Sequence, residues 1–211
     1  MAKKGKNKTE SSKDEPMKLF YIFYNQERWD NWIKTLEEAD FTGEDEEEMP
    51  EGYRLLYNFN QDICLSVLKI IRLYQNNRFT LDETKTKIDD VERIVMTQEH
   101  EGELAETIES LQLSVLVLFS SSRRYLEGGY EGDLKTLVKN GRDIGDSDME
   151  EALRIASMIG ANVINGATCC SKYIKDSVDP SLFDEWLIEI ETMNEAFASL
   201  KNFDEEAGEA S

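Results

Sequence analysis

The chain has 211 residues with 44 Asp+Glu against 24 Lys+Arg, a formal net charge of -20, and 40% hydrophobic residues. That length suits one domain, and three Trp, eight Tyr and nine Phe supply enough apolar surface to exclude global disorder. The acidity argues against a nucleic-acid binder, which must neutralise phosphates with Lys and Arg, and a single His removes most His-based catalysis and most zinc sites.

Residues 1–16 carry five Lys against Glu10, Asp14 and Glu15 and no large apolar residue after Met1, which predicts a disordered basic tail. Such a tail touches RNA or an acidic partner, or simply solvates the start of the chain. No apolar run of signal-peptide type follows it, so a cytoplasmic protein is expected. The run from Leu19 to Tyr24 reads equally as a short strand or a helix start. A helix from Asn25 to Asp40 follows, with Trp29, Ile33 and Leu36 on one face. The acidic stretch around Glu44 to Glu48 is a loop.

After Gly52, the residues Leu56, Phe59, Ile63, Val67, Ile70 and Tyr74 recur at steps of three and four, predicting a long helix stopped by Asn76-Asn77. The next helix opens with a capping box at Thr80 and Glu83, and its stripe is Ile88, Val91 and Val95. From Leu104, a stripe runs through Ile108, Leu111, Val115 and Leu118. Leu113, Leu116, Val117 and Phe119 fill its other faces, which predicts a central helix wanting burial all round. The most apolar stretch here falls far short of the ~20 residues of a membrane span.

Gly128-Gly129 closes that helix, and a short one from Asp133 to Asn140 ends at Gly141. Ser147 with Glu150 predicts a capped helix whose stripe contains the small residues Ala156 and Gly160. The last helix opens at Asp179-Pro180, with Val178 stapled on Phe183, and carries Leu182, Trp186, Ile190, Met193, Phe197 and Leu200. These elements predict an all-α fold: a single bundle of six to eight helices over 17–203, followed by a disordered acidic tail over 204–211.

Reactive groups are sparse. Cys169-Cys170, with Cys64, offers soft-metal ligands or a redox couple, but an odd cysteine count indicates no disulfide framework, and packing in a helix from Thr168 is the preferred reading. His100 is expected to be a solvated turn residue. The segment from Glu99 to Glu106 resembles the opening of the helical nucleoside-triphosphate pyrophosphatases. That resemblance implies a magnesium-dependent hydrolase using Glu103 and Glu106, although the second acidic pair of that family is missing here. Gly128, Gly129 and Gly132 follow a helix and do not make a phosphate loop. Arg123 and Arg124, after Ser120-Ser121-Ser122, are candidate anion-binding residues, or pair with acids on an adjacent helix. Tyr24, Trp29 and Trp32 are candidate partner-binding residues, since aromatic clusters are favoured at interfaces, or they close the end of the bundle.

The order of motifs is distinctive: Glu27-Arg28-Trp29 with Trp32, an acidic loop, Gln61-Asp62 and Lys69-Ile70 in a long helix, and Glu185-Trp186-Leu187 in the last. In this order the chain resembles an uncharacterised archaeal family, a domain of unknown function found in haloarchaea and methanogens. The resemblance implies a cytoplasmic helical protein and brings no active site with it. The expectation is therefore a non-enzymatic protein without a cofactor, acting through a protein partner or as a homodimer, with the metal-dependent hydrolase as the alternative.

Overall fold

The computed structural model describes residues 23–42, 49–174 and 180–208. Seven α-helices and one 3-10 turn, with no strand, make up the ordered elements among them. They are α1 (Gln26–Glu37), α2 (Glu51–Gln75), α3 (Leu81–Met96), α4 (Ala105–Leu126), α5 (Leu134–Ile144), the 3-10 turn Gly145–Ser147, α6 (Met149–Ile164) and α7 (Leu182–Gly208). The chain is all-α, as the periodicity predicts. The basic tail, most of the 19–24 run, the acidic loop and the Asp179 cap with its Val178 staple lie outside the described residues.

Helix boundaries follow local chemistry. Asn25 caps α1 by accepting from the Arg28 amide. Thr80 and Glu83 form the full reciprocal capping box of α3. Asn76 ends α2, and Asn77 takes the left-handed conformation at φ 55° that Asn tolerates. Beyond α4, Gly128 at φ 76° and the bond from the Gly129 amide to the Arg124 carbonyl close the helix end.

Three boundaries differ from expectation. Asp148, not Ser147, caps α6, accepting from the Glu151 amide. The Ser147 hydroxyl instead donates back to the Ile144 carbonyl. Gly141 does not end α5 but lies inside it, buried, where a Cβ would sit 2.0 Å from Phe183 Cζ. The glycine is there because the ring of Phe183 takes the space a side chain would need. Helix α7 runs to Gly208, through residues expected as the start of an acidic tail.

The core is one continuous cluster. Phe59, Ile63, Val67 and Ile70 of α2 are fully buried, as are Ile190 and Met193 of α7 and Val115, Val117, Leu118 and Phe119 of α4. Helix α4 is central, packing on α2, α3, α6 and α7. Its approach to α6 is close because Gly160 faces Ser121; a Cβ at 160 would stand 2.0 Å from Ser121 Oγ. Among the apolar residues expected to be covered around Val115, one is not: Leu113 is 36% exposed.

Candidate functional site

The aromatic residues expected at a partner surface are built inward. Trp29 and Trp32 project from α1 onto Phe59 of α2, with ring centroids 5.2 and 5.3 Å away. Tyr24 and Trp29 are buried, Trp29 against Phe59 of α2. Trp32 is half-buried, and its indole N–H donates to Asp62 Oδ2 at 2.8 Å. Arg28 Nε donates to the same oxygen at 2.6 Å, and Arg28 Nη2 pairs with Oδ1. Burial, reinforced by the Asp62 charge, pushes the Tyr24 hydroxyl well above its ordinary range. Burial beside Arg28 holds the Lys69 ammonium below its own. This cluster fastens α1 to α2.

Arg123 and Arg124 both reach neighbouring helices. Arg123 donates to Glu92 Oε1 and Asp89 Oδ1 on α3, each at 2.8 Å, so its charge is already compensated. Arg124 Nε donates to Ser157 Oγ of α6 at 2.9 Å. Acids on a neighbouring helix claim the first guanidinium, and the two arginines face different neighbours. Ser121 and Ser122 are fully buried beneath them.

Glu103 and Glu106 are both exposed near the start of α4. No group of three or more His, Cys, Asp or Glu placed to hold a metal occurs among the described residues. His100 is part-buried with Nε2 3.7 Å from Glu37 Oε1, so it is less solvated than a free turn residue. Cys64 is a free, buried thiol in α2, raised well above its ordinary range by burial and then by the charge of Glu189.

The cysteine pair departs most from expectation. Cys169 and Cys170 are joined to each other as a disulfide. They lie in a turn after α6 rather than in a helix, with Cys170 in the left-handed region at φ 94°. A left-handed cysteine cannot continue a helix, which is why none starts at Thr168.

One buried group went unread in the sequence. Glu189 of α7 is 3% exposed and faces α2 and α4. Its Oε2 accepts from Asn60 Nδ2 at 2.6 Å and Ser114 Oγ at 3.3 Å. Its Oε1, and Asn60 Oδ1, are buried without a protein hydrogen-bond partner. Desolvation raises the Glu189 carboxyl above its ordinary range despite those two donors. The signal was available: Glu189 stands three residues after Trp186 and four before Met193, on the core stripe itself.

The exposed Leu113 lies in a groove of about 380 Å³ between α4, the start of α6 and α7. Leu113, Met149, Ala152, Leu182 and Trp186 give it an apolar lining, and Glu185 stands among them. Met149 is 54% exposed. Trp186 forms the inner wall, its indole N–H donating to the Leu113 carbonyl at 2.9 Å. Glu109, also exposed, lies one helical turn before Leu113. No Lys or Arg occurs from Leu104 to Ser122 or from Leu182 to Leu200.

Residues 22–206 match the family model described as an uncharacterised protein conserved in archaea, DUF2150. The chain belongs to this family. No curated protein and no solved structure matches it. The span matched to the archaeal family takes in the Arg28–Asp62–Trp32 cluster, Glu189 and the groove, and leaves the Lys3-to-Lys8 segment outside. In this member, the motif residues Arg28, Trp29, Asp62 and Trp186 all serve helix packing. Among the described residues, no helix is long and apolar enough to cross a membrane.

Proposed function

We propose that the protein is a non-enzymatic, cytoplasmic helical module that binds a partner protein in the groove between α4, α6 and α7. The observation that carries this reading is the exposure of Leu113 of α4 and Met149 of α6 on either side of Trp186 of α7. Exposed apolar side chains at a concave site cost solvation that a partner recovers on binding. Of the three helices around the groove, α4 and α7 carry acids and no basic residue from Leu104 to Ser122 and from Leu182 to Leu200, and the first turn of α6 adds Glu150 and Glu151, which favours an amphipathic partner segment presenting Lys and Arg around an apolar stripe. A second copy of the chain is the poorer occupant, since each copy brings a net charge of -20.

The test uses a fluorescein-labelled amphipathic helical peptide of Leu and Lys, its Leu/Glu counterpart, and the Leu113→Asp and Met149→Asp variants. Saturable binding of the Leu/Lys peptide, lost in either variant, is expected. Because each substitution adds negative charge, a purely electrostatic association would tighten instead, and that result refutes the groove. Equal binding of both peptides, or dimerisation in sedimentation that Leu113→Asp abolishes, would refute the basic partner.

A further inference from the structure

The groove reading leaves the Cys169–Cys170 pair unused. Two features set this pair apart from a packed cysteine. The bond joins adjacent residues, so it closes a small ring that includes the intervening peptide unit. Cys170 is held at φ 94°, a conformation that L residues other than glycine rarely adopt and that surrounding structure must impose.

The turn containing the ring is a junction of three helices. The Cys170 carbonyl accepts from the amides of Tyr173 at 2.7 Å and Ile174 at 3.0 Å, folding the chain back on itself. The Ser171 amide, next in sequence, donates to Glu191 Oε2 of α7 at 3.0 Å. The Tyr173 carbonyl accepts from Arg142 Nη2 of α5, and Arg142 Nε also holds Asp184 Oδ1 of α7 at 2.8 Å. The chain enters this turn directly from the end of α6. The turn is therefore tied by hydrogen bonds to α5 and α7 and by the chain itself to the end of α6.

We propose that Cys169–Cys170 is a two-electron redox site whose substrate is a dithiol, and that its state sets the backbone of this turn. In the exchange, one thiolate of the dithiol attacks a sulfur of the pair, forming a mixed disulfide and releasing the other cysteine as a thiolate. The second thiol of the substrate then displaces the remaining cysteine. The pair takes up two electrons and two protons, and the dithiol leaves as its own disulfide. Once the ring is open, Cys170 is free to return to negative φ, and the bonds from Tyr173 and Ile174 to its carbonyl lose their geometry. At 2% and 0% exposure the sulfurs are shielded in the closed turn, so exchange proceeds through its local opening. Cys64 lies in α2, buried and free, and takes no part.

The full chain, equilibrated across a series of oxidised-to-reduced dithiothreitol ratios, acid-quenched, unfolded and alkylated, reports the state of the pair by mass. One alkylated thiol, from Cys64, at the oxidised end and three at the reduced end, through a two-electron transition, is expected. Three thiols at every ratio, or one at every ratio, overturns the redox site. Hydrogen exchange by NMR tests the turn: the Tyr173 and Ile174 amides are expected to exchange about tenfold faster in the reduced form. The Cys169→Ser variant, which cannot close the ring, should match the reduced form under all conditions. Identical protection in both redox states refutes the conformational consequence even where the titration succeeds.

Discussion

Replacing Glu189 by Gln is expected to stabilise the protein at neutral pH, an unusual result for a fully packed position. The carboxyl is enclosed by α2, α4 and α7 and has donors for Oε2 only, from Asn60 and Ser114. Its other oxygen and Asn60 Oδ1 are both acceptors without a protein donor, so the charged form is poorly compensated. A buried polar group left unpaired costs about 1–3 kcal/mol, and more when charged. Gln keeps an acceptor for Asn60 and Ser114, removes the charge, and places two N–H donors on a side where the carboxylate supplies none. A gain of about 2 kcal/mol corresponds to roughly 4–8 °C in melting temperature for a chain of this size.

The pH dependence separates this cause from a generic packing change. In the folded protein the Glu189 carboxyl titrates above its ordinary range, while in the unfolded chain it titrates within it. The folded state therefore binds the proton more tightly. Its contribution to stability is complete below the ordinary carboxyl range and is lost as pH rises through the raised folded value. Gln has no such term. Melting temperatures followed by circular dichroism from about pH 4 to about pH 8 should show the Gln variant's advantage small at the acid end and growing upward. A difference that stays constant across that range, or a less stable Gln variant at the upper end, refutes the reasoning.

Three further outcomes are expected. Gly160→Ala should destabilise by about 1–3 kcal/mol in urea unfolding through overpacking of α4 on α6, and adding Ser121→Gly should recover part of that loss. Asp62→Asn weakens the fork that Arg28 and Trp32 share, costing about 1–3 kcal/mol, with faster amide exchange along α1 as the local readout. Thr80→Ala removes the hydroxyl arm of the α3 capping box and should cost about 1 kcal/mol, whereas Thr80→Ser should retain most of it.

The helices were legible because their apolar positions recur with helical spacing whatever the partner. Phe59, Ile63, Val67 and Ile70 are buried as that spacing requires, and Thr80 caps as its chemistry requires. Positions decided by a distant neighbour were not legible. Gly141 looked like a helix end, and only the ring of Phe183, far along the chain, explains why it sits within α5. The same holds for Trp29 and Trp32, whose aromatic character suits an interface or a core equally until Phe59 is placed against them. Glu189 was hidden by abundance, because one acid among 44 draws no notice unless its register on the stripe is checked. The Cys169–Cys170 bond was hidden by adjacency: neighbouring cysteines in a helix point apart, and the left-handed turn that brings them together carries no sequence mark of its own.

The placement of Trp186 turns the seam between α4 and α7 into something that can be watched by light. Its indole is dry and anchored to a main-chain oxygen of α4 while also walling the groove, whereas Trp29 and Trp32 pack on Phe59 at the α1–α2 junction. Separation of the seam would wet one chromophore of the three and shift its emission to the red. An occupant seated against it would quench or brighten that same chromophore alone, so single Trp→Phe changes would assign each optical event to one end of the molecule.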